Sequence, residues 1–210
     1  MVSTLEYIGQ KFIVDITRKP PIEIFNINRV IMAQTLNELG FKVGAEIGVQ
    51  RGNHAQTLCE NIPGLHLYCV DYWNFYSGYI DFTKSLQIEK RKAEQVLAPY
   101  DCVFIEKFSM DALSDFEDES LDFVYIDAGH DWKNIANDIY EWPKKVRSGG
   151  IVFGHDFKRT PRNYLTNAVR DVVPAYMYHF QIRPWFILGA PGPRNNVYQE
   201  GTQAWMFVKC

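Results

Sequence analysis

The chain has 210 residues, of which 47% are hydrophobic and 22% are charged, and these values fit one globular α/β domain with a full core better than two domains. Its formal net charge is −3, which excludes the broad excess of lysine and arginine that general nucleic-acid binding requires, so we expect no nucleic-acid partner. We also expect no membrane partner, because no apolar run is long enough to cross a bilayer and the N-terminus lacks the layout of a signal peptide.

Strands and helices alternate along most of the chain. Residues 1–28 are predicted as a lead-in that contains the Pro20-Pro21 break, and residues 29–210 as a single domain. The first helix of this domain begins after Asn28 and ends at Gly40, since apolar residues recur between them at a spacing of three. The strands that follow are predicted at 43–49, 65–70, 101–105, 121–126 and 151–153, and the further helices at 53–61, 84–97, 132–146 and 164–173.

The end of the chain breaks this alternation. Residues 185–188 and 204–208 are predicted as two strands that are joined by a loop rich in proline, glycine and asparagine. Because no helix separates them, the last strand is expected to run antiparallel to its neighbour. The alternation upstream predicts a parallel sheet with helices on both faces. The fold class is therefore α/β, a three-layer sandwich around a mostly parallel sheet of seven strands.

A glycine loop connects the first strand of the domain to its helix. Gly48 and Gly52 stand in the spacing G-x-x-x-G, and Glu46 precedes them. A dinucleotide-binding loop has the spacing G-x-G-x-x-G, with a middle glycine that this loop lacks. An acidic residue before the first glycine suits a cationic ligand with an amino group better than a pyrophosphate. Asp71, at the end of the second strand, is placed to accept hydrogen bonds from two ribose hydroxyls.

This loop resembles motif I of the class I S-adenosylmethionine-dependent methyltransferases, E/D-x-G-x-x-x-G. The segments VYIDAGH and SGGIVFGHDF are similar to those after the fourth and fifth strands in the small-molecule-type subgroup, whose fourth strand ends in I-D-x-x-H. The resemblance covers about residues 28–210, and five motifs in register support it. It implies a Rossmann-like sheet with the strand order 3-2-1-4-5-7-6, in which strand seven is antiparallel.

The resemblance also implies a cofactor, S-adenosylmethionine, and the residues that hold it. Glu46 and the loop 48–52, which includes Val49, would hold the methionine end, and Asp71 would hold the ribose. The backbone near Ser109 and Met110 would frame the adenine, where the usual preceding acidic residue is here Phe108. Asp127 is counted with the cofactor-binding residues as well.

Six aromatic residues lie between Asp71 and Phe82, and the first two, Tyr72 and Trp73, directly follow the ribose-binding residue. They could cover the adenosine or line an acceptor pocket, since small-molecule pockets are rich in aromatic residues. They could equally form a lid that packs on the domain without specificity. We count Tyr72 and Trp73 as cofactor-binding residues.

Polar side chains follow the fourth and fifth strands, at the carboxyl edge where open α/β sheets bind ligands. Asp127 and His130 follow one strand, and His155 and Asp156 follow the other. These four are the candidate catalytic residues, because a histidine or carboxylate there could take the proton of an acceptor as its methyl group arrives. Either histidine could instead be structural. Asp131 is expected to cap the helix that follows it.

Asp127 and Asp156 are also candidate ligands of a magnesium ion, because two carboxylates at neighbouring strand ends can share one hard cation. The metal-dependent catechol-type and sugar-type O-methyltransferases use carboxylates at these two places. Here the second place offers His-Asp rather than Asp-Asp or Asp-Asn.

The resulting hypothesis is methyl transfer from S-adenosylmethionine to a small-molecule acceptor, with oxygen as the preferred acceptor atom. The alternatives are N-methylation and a binding module of the same fold that performs no chemistry. The four cysteines have no C-x-x-C spacing, and three of them are interpreted as small buried hydrophobic residues in a reducing, cytoplasmic setting. A homo-oligomer is compatible with the sequence.

Overall fold

A computed structural model describes residues 2–74, 83–157, 168–189 and 203–210. Eight strands lie in one sheet, and seven α-helices and two short 3₁₀ turns connect them. The strands are β1 Ile22–Ile24, β2 Val43–Ile47, β3 His66–Asp71, β4 Cys102–Glu106, β5 Leu121–Ile126, β6 Val146–Gly154, β7 Trp185–Leu188 and β8 Ala204–Val208. The helices are α1 Thr4–Phe12, α2 Arg29–Glu38, α3 Asn53–Asn61, α4 Thr83–Leu97, α5 Ser109–Ala112, α6 Trp132–Glu141 and α7 Val169–His179.

The strand order of the sheet is β1-β7-β8-β6-β5-β2-β3-β4. The seven predicted strands are β2 to β8, and their neighbours are the predicted ones, with β8 antiparallel to both β6 and β7. The other described strand pairs are parallel. The predicted α/β class and three-layer arrangement are confirmed.

The predicted count of seven strands was wrong, because the lead-in contributes an eighth. β1 pairs in parallel with β7, with Ile22 opposite Phe186. Its two isoleucines are buried and Glu23 between them is exposed. Three residues after two prolines are too short to show the alternation by which a strand is recognised in sequence. The domain boundary that was drawn at residue 28 stays a prediction.

Two helix ends also differ from the prediction. The helix expected over 132–146 ends at Glu141, where a 3₁₀ turn with Pro143 follows. Gly149 and Gly150 beyond it lie inside β6. The helix expected over 164–173 is described from Val169 onward, and residues 164–167 lie outside the described part of the chain.

The alternation of side chains across the sheet produces two apolar layers. Along β5, Phe123 and Tyr125 face the layer that α1 to α4 cover, whereas Val124 and Ile126 face the layer under α5 to α7. Each layer buries a continuous set of side chains, which is the main favourable contribution to folding. Among the described residues, no helix combines the length and the apolar character that crossing a membrane would take.

Candidate active site

The turn after β2 is built on a glycine that no other residue could replace without strain. Gly48 has a φ of +94°, and a Cβ atom there would lie 2.3 Å from the carbonyl oxygen of Asp127. Both the left-handed backbone and the close approach require glycine. The backbone of the turn therefore packs directly against the chain that leaves β5.

The second glycine of the motif packs against α4. Gly52 directly precedes α3 and has a φ of +80°, and a Cβ atom there would lie 3.1–3.3 Å from Val96, Ala93 and Leu97 of α4. Its bare side therefore accommodates the packing of α4, and its predicted place in the cofactor site stays a prediction.

Asp71 at the end of β3 is held by backbone amides. Its carboxylate accepts hydrogen bonds from the amides of Gln50, at 2.9 Å, and of Trp73, at 3.2 Å. Burial raises the pKa of Asp71, and these and neighbouring amides oppose that shift. Each carboxylate oxygen can accept more than one hydrogen bond, so the group can still bind ligand hydroxyls.

The two aromatic residues after Asp71 have different positions. Trp73 is 1% exposed, and its indole nitrogen donates a hydrogen bond of 2.8 Å to the carbonyl of Gln50. It therefore lies beneath the glycine loop and ties it to the end of β3. The ring of Tyr72 stacks on the ring of Phe108, with 3.9 Å between their centroids. The other four aromatic residues of the segment, from Phe75 to Phe82, lie outside the described residues.

The side chain of Ser109 is used within the protein. Its hydroxyl donates to the carboxylate of Asp138 and accepts a hydrogen bond of 2.7 Å from the indole of Trp142. Asp138 is 2% exposed, and burial raises its pKa to about 6. Met110 packs on the layer under α5 to α7. Both side chains of this turn therefore make contacts within the protein.

The four candidate catalytic residues meet beyond the ends of β5 and β6. His130 Nε2 lies 3.1 Å from Asp127 Oδ1 and 3.2 Å from Asp156 Oδ2. His155 Nδ1 lies 3.8 Å and 3.7 Å from the same two carboxylates. All four are partly exposed, so a ligand can reach them. Two imidazoles and two carboxylates thus form one cluster, which we call the strand-end cluster.

Asp131 lies outside the strand-end cluster and caps α6, as predicted. Its carboxylate accepts hydrogen bonds from the amides of Lys133 and Asn134, at 3.1 Å and 3.2 Å.

The donor atoms of the strand-end cluster do not suit magnesium. Asp127, His130 and Asp156 offer ligand atoms that lie within 4.8 Å of one another, but an imidazole nitrogen stands between the two carboxylates. Magnesium prefers six oxygen ligands in a near-ideal octahedron, whereas a mixed nitrogen and oxygen set is typical of transition metals. We therefore assign no step to magnesium.

A buried polar pair beneath the site was not anticipated from the sequence. Glu46 is 2% exposed and His54 is 6% exposed, and Glu46 Oε2 lies 3.1 Å from His54 Nδ1. Burial raises the pKa of Glu46, while the neighbouring His54 opposes that shift.

His54 connects this pair to the strand-end cluster. Its ring lies 3.9 Å from the ring of Tyr125, whose hydroxyl lies 3.2 Å from Asp127 Oδ2. Burial raises the pKa of Tyr125 well above its usual range. Its hydroxyl therefore stays protonated and donates a hydrogen bond to Asp127. The glycine motif and the strand-end cluster are therefore joined by side chains as well as by backbone.

A mostly apolar cavity opens beside the strand-end cluster. Its empty volume, which includes space open to the solvent, is about 460 Å³. Tyr125 and His155 form the wall nearest the cluster, and Arg29 supplies a cation. The remaining lining residues come from the segment after β1, α2, α3, β6, β7 and β8, and they are Ile27, Asn28, Met32, His54, Phe153, Leu188, Gly189 and Ala204. The lining suits a largely apolar molecule.

Comparisons with known proteins agree with this geometry. A protein-family model described as a methyltransferase domain matches residues 45–157, a range that contains the glycine loop, Asp71 and the strand-end cluster. A sequence search of curated proteins finds no match.

Solved structures with the same fold share little sequence with this chain. An O-methyltransferase from Bacillus cereus in complex with SAH is 16% identical, with 98% of this chain and 90% of that chain covered and a TM-score of 0.58. TomG, an O-methyltransferase from Streptomyces achromogenes in complex with SAM, is 14% identical, with 99% and 88% covered and a TM-score of 0.57. A SAM-dependent O-methyltransferase from Thermotoga maritima is 11% identical, with 99% and 71% covered and a TM-score of 0.59.

Proposed function

Because this chain belongs to the family of methyltransferase domains, we propose that it transfers a methyl group from S-adenosylmethionine to a hydroxyl oxygen of a small-molecule acceptor. One observation carries the choice of chemistry. The strand-end cluster, which can take a proton, adjoins a mostly apolar cavity that Tyr125 and His155 line.

The cofactor would lie across the carboxyl ends of β2 and β3. The turn at Gly48 and Val49 would hold its methionine end above the buried Glu46, and Asp71 would bind the ribose hydroxyls. Tyr72 and the backbone of Ser109 and Met110 would border the adenine. Asp127, whose backbone touches the turn at Gly48, would lie between the cofactor and the acceptor.

S-Adenosylmethionine supplies a methyl group on a positively charged sulfur, which is already activated for direct displacement. The protein has to align an acceptor oxygen behind that group and exclude competing water. His155 lines the cavity and is the proton acceptor in this proposal. The carboxylates of Asp127 and Asp156, 3.8 Å and 3.7 Å from its ring nitrogen, would stabilise the imidazolium that forms.

The remaining members of the cluster would act through position. His130, between Asp127 and Asp156, offsets the repulsion between the two carboxylates, which would otherwise oppose their close approach. The Tyr125 hydroxyl fixes the second oxygen of Asp127. The carboxylates are thereby oriented toward the acceptor before it binds.

Isothermal calorimetry tests the cofactor assignment. We expect binding of S-adenosylmethionine and its demethylated product, and no appreciable binding of NAD. Asp71→Ala should weaken the binding by about 10-fold to 100-fold, because hydrogen bonds to a charged group contribute about 1.5–3 kcal/mol. Asp118→Ala, which removes an exposed carboxylate elsewhere, is the matched control. Unchanged affinity in Asp71→Ala, or tighter binding of NAD, would contradict the assignment.

A screen with a labelled methyl donor tests the acceptor. Phenols and sugars offer hydroxyl oxygen, and amines offer nitrogen, so one panel separates the preferred chemistry from its alternative. We expect label transfer to a hydroxyl compound with an apolar body. Transfer to amines alone would show N-methylation, and cofactor binding without transfer to any compound would favour the non-catalytic module.

A further inference from the structure

Three cysteines that lie far apart in the sequence meet on one face of the sheet. Cys59 lies on α3, Cys69 on β3 and Cys102 at the start of β4, and all three belong to the layer under α1 to α4. The site described above lies at the carboxyl ends of the strands. Cys102 opens β4, so it is about 13 Å from that end at the usual rise of a strand. The cysteines therefore form a separate cluster.

Two of these cysteines are in contact. The Sγ atoms of Cys59 and Cys102 are 3.6 Å apart. The sulfur atoms of a disulfide are about 2.05 Å apart, so an approach of about 1.5 Å would join them. None of the four cysteines of the chain is in a disulfide in this structure.

The three thiols of the cluster differ in accessibility. Cys59 is 8% exposed and Cys69 is fully buried, whereas Cys102 is only partly buried, on the edge strand of the sheet. Hydrogen bonds from Cys59 and Cys69 lower the pKa of the Cys102 thiol. The thiolate is the reactive form of cysteine, so the most accessible thiol of the cluster is also the one whose ionisation its neighbours favour.

We propose that Cys59 and Cys102 are an oxidation site, which a peroxide converts into a reversible disulfide. The Cys102 thiolate attacks one peroxide oxygen, the oxygen–oxygen bond breaks, and Cys102 becomes a sulfenic acid while hydroxide leaves. The Cys59 thiol then attacks the Cys102 sulfur, forms the sulfur–sulfur bond and releases water. Two thiols lose two electrons to one peroxide, and a small dithiol reverses the reaction by two exchange steps.

The bond would tie α3 to the edge of the sheet. α3 begins at the glycine loop, and Cys59 lies in its second half, so the cross-link would fix the far end of the helix that carries this loop. The bond would close the loop of chain between Cys59 and Cys102, and closing such a loop restricts the unfolded state. We therefore expect the oxidised protein to melt several degrees higher than the reduced one.

The test uses the full chain with Cys210→Ser, because exposed Cys210 could otherwise form bonds between molecules. The protein is treated with one equivalent of hydrogen peroxide, unfolded in denaturant so that N-ethylmaleimide reaches the buried thiols, blocked, and analysed by intact mass and peptide mapping. We expect a loss of about 2 Da before blocking, one blocked thiol instead of three, a Cys59–Cys102 cross-linked peptide, and full reversal by dithiothreitol.

Three further variants locate the bond. Cys59→Ala and Cys102→Ala should each abolish the loss of mass, whereas Cys69→Ala, the matched control from the same cluster, should retain it. A bond that includes Cys69, or oxygen added to Cys102 without a bond, would overturn the proposal. The peptide map of the parent protein decides the matter even where a variant fails to fold, and no part of it depends on methyl transfer.

Discussion

The two halves of the candidate active site are held in place by different kinds of interaction. At the ends of β2 and β3, the turn and Asp71 are held by backbone amides, by a glycine conformation and by the buried indole of Trp73. At the ends of β5 and β6, four ionisable side chains hold one another. Backbone contacts survive most side-chain changes, whereas a cluster of charges depends on every member. Under the proposed function, the first half would hold the cofactor and the second would act on the acceptor.

The largest expected effect tests the side-chain half. Asp127→Asn and His155→Gln should each lower kcat by about 10²-fold to 10⁴-fold on a genuine acceptor, since each removes a group that takes or stabilises the transferred proton. The affinity of His155→Gln for the cofactor should change by less than about threefold. Asp131→Asn is the matched control, because asparagine caps a helix as well as aspartate does. Full activity in Asp127→Asn would remove this cluster from the mechanism.

The next effect tests the backbone half. Gly48→Ala should lower the free energy of unfolding by about 3 kcal/mol or more, because its new methyl group would lie 2.3 Å from the Asp127 carbonyl oxygen. Gly40 also has a positive φ, of +77°, but has open space around it. Gly40→Ala should therefore cost only about 1 kcal/mol, the strain of the backbone alone. Chemical denaturation measures both, and equal losses would show that the contact with Asp127 is soft.

A smaller effect concerns Asp138, a buried carboxyl group that accepts a hydrogen bond from Ser109. Burial raises the pKa of Asp138 from 3.8 to about 6, so the folded state binds this proton more tightly than the unfolded state. Stability should therefore fall as the pH rises through this window, by up to about 3 kcal/mol. Asp138→Asn should flatten the dependence of Tm on pH between these values.

The matched control has the opposite sign. A hydrogen bond from Lys145 lowers the pKa of Asp118. The ionised carboxylate therefore stabilises the fold at a pH above its usual pKa, and this contribution is lost as the pH falls. Asp118→Asn should therefore leave the Asp138 contribution in place. A Tm profile that Asp138→Asn does not alter would contradict the assignment of this titration to Asp138.

The last prediction is that removal of metal ions has no effect on turnover. Excess chelator should leave the turnover of a genuine acceptor unchanged, because the imidazole nitrogen between Asp127 and Asp156 is a poor ligand for magnesium. Loss of activity that magnesium restores would return these two carboxylates to the role of metal ligands. The measurement thus distinguishes carboxylates that are paired with histidine side chains from carboxylates that bind a metal ion.

The sequence predicted the parts of the molecule that follow a repeated pattern. Parallel strands bring their carboxyl ends to one edge, so Asp127 and His155 could be placed together before their distance was known. The three-residue β1 was missed because its pattern is too short. The contact of His54 with Tyr125, and that of Cys59 with Cys102, depend on how α3 is rotated against the sheet. Such a rotation is set by packing between elements distant in sequence, which no local pattern records.

The edge strand β1 has a consequence for how this protein can diversify. It leads into Ile27, Asn28 and Arg29, which line the cavity beside the strand-end cluster, and it lies upstream of the glycine loop in the sequence. A change in the length of this segment would reshape the cavity without altering Gly48 or Asp71. Under the proposed function, such a change would alter the choice of acceptor and leave the methyl-donor site intact.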